Sequence, residues 1–136
     1  MRPLLVGESN PYSDDPKFAL YPFPAGAAGS RLCDILGLSH SEYLATFDRA
    51  NLMPDRGKWN LKVARATAVS LPHTRRVLLG SRVCQAHLIQ FDVFEPYYFK
   101  DGQALVFPHP SGRCRIWNDR TNIERARAAL KEFLSD

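Results

Sequence analysis

The residues of this chain that can do chemistry gather in a few short stretches. His109 is held between Pro108 and Pro110 and is followed at once by Ser111, Gly112 and Arg113. A proline on each side restricts the backbone and so aims the imidazole. Far upstream, Gly7-Glu8-Ser9-Asn10-Pro11-Tyr12 offers a carboxylate and an amide, Asn51 a second amide, and Phe23 an aromatic plate. An amide presents both a donor and an acceptor, and an imidazole can do the same near neutral pH. With an arginine beside them, these groups suit the grip of a single flat heterocycle.

Other chemistries lose support. There is no Gly-x-Gly-x-x-Gly and no P-loop, so dinucleotide and triphosphate binding are not expected. Neither Ser9 nor Ser111 lies in a nucleophile-elbow pattern. The three cysteines, Cys33, Cys84 and Cys114, form no Cys-x-x-Cys pair. A disulfide framework and a structural zinc site are therefore not expected. No cofactor and no metal is expected either. Cys33 and Cys84 read as small core residues, and Cys114 as packing.

The elements that must position these residues follow from apolar patterning. Residues 4–6 form a short apolar strand ending at Gly7. Residues 8–28 are turn-rich and proline-rich, but their aromatics argue against disorder. A helix is predicted over 26–36, with Gly37 as its stop. Ser39 or Ser41 caps a short helix through Tyr43 and Leu44, with Glu42 in its first turn. Residues 46–52 make a weak strand and 58–71 an amphipathic helix ended by Pro72. Residues 76–80 are a buried strand, and Ser81 caps a helix over 82–89. An aromatic stretch with Phe91, Phe94, Tyr97, Tyr98 and Phe99 precedes the turn signal Asp101-Gly102. Residues 104–107 form the fourth strand, and a last helix spans 121–134, with Trp117 packing it against the sheet.

Strands alternate with helices, and three of the four strands are continuous apolar runs. That pattern predicts a three-layer α/β/α fold with a central, mostly parallel, four-stranded sheet. Ligands of such sheets bind outside the carboxyl ends of the strands. The loops after strands one, two and four carry Glu8 and Asn10, Asn51, and His109 to Arg113, and so should converge.

The 136 residues make one domain, 1–136, with a formal net charge of +4. A basic balance permits nucleic-acid binding. Arg113 and Arg115 follow the histidine, and Arg75-Arg76 precede the third strand. Arg120, Arg125 and Arg127 read as a solvated face of the last helix. His40, His73 and His87 read as surface residues without a role. No apolar run of membrane-spanning length occurs, so no membrane association is expected. A monomer in a reducing cytoplasm is the simplest expectation.

The ordered motifs resemble those of the uracil-DNA glycosylase superfamily. Gly7-Glu8-Ser9-Asn10-Pro11-Tyr12 resembles that family's loop after strand one, and His109-Pro110-Ser111-Gly112-Arg113 its His-Pro-Ser segment after strand four. Pro22-Phe23-Pro24-Ala25-Gly26-Ala27-Ala28-Gly29 resembles the segment carrying the base-stacking phenylalanine. The resemblance covers nearly the whole chain. It implies hydrolysis of the N-glycosidic bond of uracil or another damaged or modified base in DNA. It further implies that His109 donates to the carbonyl of the leaving base, that Asn10 or Glu8 orients the water, that Phe23 stacks, and that Asn51 reads the base edge. Ser111, Gly112, Arg113 and Tyr12 would contact DNA. The cysteine pattern of the iron–sulfur branch is absent, because three cysteines cannot supply four ligands.

Two alternatives stay open on the same residues. One is a hydrolase of free modified nucleosides or nucleotides. The other is a non-catalytic module that binds a modified base or DNA. The duller roles are a turn histidine at 109, a turn-capping Asn51 before Pro54, a core Phe23, and loop-closing Glu8 and Asn10.

Overall fold

The computed structural model describes residues 1–11, 13–53, 58–99 and 101–135. Its elements run β1 (Leu4–Gly7), α1 (Ala28–Leu36), α2 (His40–Thr46), β2 (Asp48–Asn51), α3 (Leu61–Ser70), β3 (Arg75–Leu79), α4 (Ser81–Ala86), β4 (Pro96–Phe99), β5 (Gly102–Phe107) and α5 (Arg120–Leu134). Short 3₁₀ turns lie at Pro16–Phe18 and Arg115–Asn118.

Among the described residues the strands form one five-stranded sheet in the order β2-β1-β3-β5-β4. The first three junctions are parallel, and β4 closes the edge antiparallel to β5. The core strands are apolar on both faces because both faces are covered. Leu5, Val77, Leu79, Leu105 and Phe107 pack against α1, α2 and α5 through Leu32, Tyr43 and Leu130. The alternate residues Leu4, Val6, Leu78, Ala104 and Val106 pack against α3 and α4 through Ala64, Ala68, Val83 and Cys84. Val77, Leu78 and Leu79 have no exposed surface; full burial of such a side chain contributes about 1.5–3 kcal/mol. The layering is therefore α/β/α.

The sheet has five strands where the sequence predicted four. The additional strand, β4, is Pro-Tyr-Tyr-Phe with every residue exposed, so neither alternation nor a buried run announces it. It exists by pairing, with Pro96 opposite Leu105 and Phe99 opposite Gly102.

Several boundaries differ for local reasons. The first helix begins at Ala28 because Gly26 is left-handed at φ 86° and Ala27 is extended. It ends on Gly37 at φ 68°, as predicted. Ser39 caps α2 in a reciprocal box with Glu42. Asn60 caps α3, so that helix starts at Leu61. Ser81 is not a cap: the cap position of α4 is Gly80, and no side chain bonds there. Arg76 lies inside β3, and its guanidinium donates to the carbonyls of Ala68, Leu71 and His73, closing the end of α3. It is a structural cation rather than part of a basic surface cluster. No helix among the described residues is long and apolar enough to cross a membrane.

Candidate functional site

The chain order reverses between β1 and β3: β1 is followed by helices on one face and β2 by a helix on the other. Such a reversal opens a crevice at the carboxyl ends of the strands. A cavity of about 730 Å³ occupies it, lined among others by Glu8, Asn10, Phe23, Asn51, His109 and Ser111. Gly112 lines it too. The loops after β1, β2 and β5 thus converge as the patterning predicted.

His109 is the most firmly held of these. The Ser111 N–H donates to its Nδ1 at 3.1 Å, the Trp117 indole N–H donates to its carbonyl oxygen at 3.1 Å, and Arg31 Nε donates to the next carbonyl, that of Pro110, at 2.7 Å. Room for the ring comes from Gly80. There φ is 101°, and an added Cβ would lie 3.3 Å from the His109 Cβ. Because Nδ1 accepts a hydrogen bond, the neutral ring carries its proton on Nε2. Burial pulls the imidazole pKa below its ordinary value; Arg82 adds to this and Glu8 opposes it. The ring is therefore a neutral Nε2–H donor at physiological pH.

Glu8 lies in front of that donor, with Oε2 3.5 Å from His109 Nε2. Its other oxygen is 3.4 Å from Arg82 Nη1, on the first turn of α4. Arg82 also lies over the Trp59 ring, 5.9 Å from its centroid. Its side chain is 58% exposed, so the pair is a screened rim contact that contributes about 1 kcal/mol at most.

Asn51 ends β2 opposite Gly7. Its Oδ1 is buried and has no hydrogen-bond partner among the described residues. An unsatisfied buried acceptor costs about 1–3 kcal/mol, so it marks a position where a donor belongs. Gly7 makes the close approach possible, because a Cβ there would come within 2.6 Å of that oxygen.

The remaining residues divide. Asn10 donates from Nδ2 to the Phe18 carbonyl at 2.9 Å and so ties the long loop to itself. Phe23 is at the mouth, 53% exposed, in a T-shaped contact with His40 at 4.3 Å between ring centroids. Arg113 is exposed and does not line the cavity; its N–H donates to Ser111 Oγ. Tyr12 lies outside the described residues.

Arg31 and Arg82, which no motif marks, meet the site across 79 and 74 residues. The histidines expected at the surface without a role make specific contacts. His40 abuts Phe23, His73 pairs with Asp48 at 2.7 Å, and His87 is mostly enclosed between Val83 O and Arg76. Among the described residues no cluster of three or more His, Cys, Asp or Glu could hold a metal.

Compared with models of known protein families, the chain matches none, and no curated protein matches it. The site's chemistry is therefore read from its own geometry. That geometry offers a neutral donor, a facing carboxylate and an unsatisfied amide acceptor around one cavity, with an aromatic ring at its edge.

Proposed function

We propose that this chain is a DNA glycosylase of the uracil-DNA glycosylase type, hydrolysing the N-glycosidic bond of uracil or another damaged or modified base. The observation that carries the reading is the pairing of a preset donor, His109 Nε2–H, with an unsatisfied acceptor, Asn51 Oδ1, at the same cavity. A lactam edge, a carbonyl beside a ring N–H, satisfies both.

In the reaction the bond between the sugar's anomeric carbon and the base nitrogen breaks, and its electron pair leaves with the base. His109 donates to the base carbonyl and stabilises the negative charge that develops there. A water oxygen then bonds to the anomeric carbon and releases its proton to solvent, from which the departed base anion takes one up. Of the two candidates for orienting that water, Glu8 has the better placement. Its carboxylate faces His109, whereas the Asn10 amide is engaged with Phe18 O. The negative charge of Glu8 also offsets the positive charge on the sugar. Phe23 lies against the base. In duplex DNA the base must first leave the stack, at a cost of a few kcal/mol.

The test is base release from oligonucleotides carrying a panel of modified bases, single- and double-stranded. Release that falls roughly 10²- to 10³-fold in His109→Gln supports the reading, since that is the effect of removing one preorganised donor. Absence of release from every substrate overturns it. The cavity also has room for a sugar, which favours hydrolysis of free nucleosides as the second reading; activity on monomers but not oligomers would select it.

A further inference from the structure

β2 is a free edge of the sheet, paired only with β1. In a parallel pair, alternate residues turn their main-chain groups to the partner strand. The Asp48 N–H donates to the Pro3 carbonyl and the Leu52 N–H to the Gly7 carbonyl, so the N–H and C=O groups of Arg49 and Asn51 point outward. Among the described residues nothing bonds to them. A second cavity, of about 250 Å³, lies at this edge. It touches Arg49, Ala50 and Asn51, whose side chains alternate between the two faces, so it passes round the edge of the strand. Asp14 and Pro16 of the long loop wall it on one side, and Thr67 and Leu71 at the end of α3 on the other. The Arg49 guanidinium donates from Nη1 to the Ala19 carbonyl and lies over the Tyr21 ring. Its Nε, however, is buried with no acceptor, and no carboxylate among the described residues pairs with it.

We propose that the edge of β2 takes an extended peptide segment of a partner protein, added to the sheet as a further strand. A strand laid in this slot exchanges main-chain hydrogen bonds with Arg49 and Asn51, the groups left open there. Its residue opposite Ala50 turns to the α3 wall, beside Met53 and Leu71, and is small and apolar. Its residues opposite Arg49 and Asn51 turn to the loop wall. There Arg49 lacks an acceptor at Nε, while Asp14 and Asp15 repel a further carboxylate, so a neutral acceptor such as Asn, Ser or Thr fits. The recognised segment thus alternates polar, apolar, polar. A second copy of β2 fits less well, because it brings its own loop and α3 into the same narrow slot. The site uses the main chain of Asn51 rather than its side chain, and so stands apart from the glycosylase reading.

The probe is the capped peptide acetyl-Thr-Val-Asn-methylamide, titrated into the native protein while the amide signals are followed by NMR. Saturable shifts of the Arg49 and Asn51 N–H groups are expected, with slower hydrogen exchange at both. No shift at either up to tens of millimolar peptide overturns the site. Strand pairing also dictates which peptide nitrogens matter. In an antiparallel addition the Thr and Asn nitrogens face β2, and in a parallel one the Val nitrogen does. Methylating a facing nitrogen is expected to weaken binding about 5- to 150-fold, and methylating the others to leave it unchanged. Equal loss at every nitrogen, or at none, overturns strand addition. Thr67→Trp fills the slot from α3 without altering the sheet, and is expected to abolish binding; unchanged affinity in the folded variant overturns the placement. The methylation series leaves the protein unaltered and decides the question should that variant not fold. Shifts of Arg49 and Asn51 that grow with protein concentration in the absence of peptide mean that a second copy covers the edge, and overturn the peptide partner. None of these measurements reads base release. Peptide binding without base release from any substrate sinks the glycosylase alone, and base release without peptide binding sinks this site alone.

Discussion

Gly7 and Gly29 both border the cavity, and they should respond to alanine in opposite ways. A Cβ at Gly7 would fall 2.6 Å from Asn51 Oδ1 and 3.1 Å from Leu20 Cδ2. Both atoms end flexible side chains, so the protein can yield there. Turning Asn51 off its rotamer costs about 0.5–1.5 kcal/mol. Alanine at a backbone position without left-handed φ returns about 0.4–1 kcal/mol by restricting the unfolded chain. The net change in stability for Gly7→Ala is then within about 1 kcal/mol, a shift in melting temperature of no more than about 4 °C. The site fares worse. On the proposed reading, displacing Oδ1 removes the acceptor for the ring N–H of the base, which should cost about 1–3 kcal/mol, or roughly 5- to 150-fold in kcat/KM. At Gly29 a Cβ would instead land on the carbonyl oxygens of Leu20 and Tyr21, which are backbone and cannot swing aside. Gly29→Ala should therefore cost about 1–3 kcal/mol of stability or more. Thermal melts and base-release kinetics on both variants make the comparison. If Gly7→Ala melts more than ten degrees low, or releases base at the wild-type rate, Asn51 is not a yielding reader of the base and the reasoning is wrong.

Three further outcomes follow from titration and burial. His109 should titrate below its ordinary value of 6.5, so base release should hold through that range as pH falls and decline only beneath it; Arg82→Gln should move this acid limb upward and Glu8→Gln should move the NMR-measured His109 value downward. His87 accepts from Arg76 at Nε2 and donates from Nδ1 to Val83 O, and burial chiefly, with help from Arg76, lowers its pKa. Its folded value thus lies below its unfolded one, so the stability it confers is present above pH 6.5 and is lost as pH falls through the folded value. Denaturant melts between neutral and mildly acidic pH should show this slope, and His87→Gln should flatten it. Burial pushes the Cys33 and Cys84 thiols up to about 11 and about 12, so in the folded protein a thiol reagent should label Cys114 first; rapid labelling of all three cysteines would show that the core opens.

The parts of the fold visible in the sequence are those whose signal is local. β3 and β5 each carry a continuous apolar run, and α2 carries its capping box in four residues. β4 was invisible because none of its residues is a core residue and it depends on a partner strand. The same distinction runs through the site. His109, flanked by prolines, and Asn51, at a strand end, could be placed from neighbours in sequence. Arg31 could not, because its meaning comes from a loop 79 residues away and a lone arginine in a helix has no motif. His73 was read as a surface residue because Asp48, which pairs with it, lies 25 residues away in β2. Arg76 looked like half of a basic cluster, yet its three backbone acceptors all lie within eight residues. That contact was local but depended on where α3 ended.

The two walls of the cavity are not held alike, and this bears on where substrate binding must supply order. On the β5 side, His109 is fixed through its ring nitrogen, its own carbonyl and the next carbonyl, and Gly80 leaves no slack behind it. A donor fixed in this way needs no reorganisation as charge develops on a base, which is the condition under which a single hydrogen bond contributes most to rate. At the mouth, Phe23 is half in solvent against the rings of His40 and Tyr21, while Glu8 lies between His109 and a rim arginine that water screens. Those groups have conformational freedom to lose, and ordering one such side chain costs about 0.5–1.5 kcal/mol. Binding energy from the base would therefore be directed to ordering the groups at the mouth. Substitutions at Phe23 should then raise KM more than they lower kcat, and those at His109 should do the reverse.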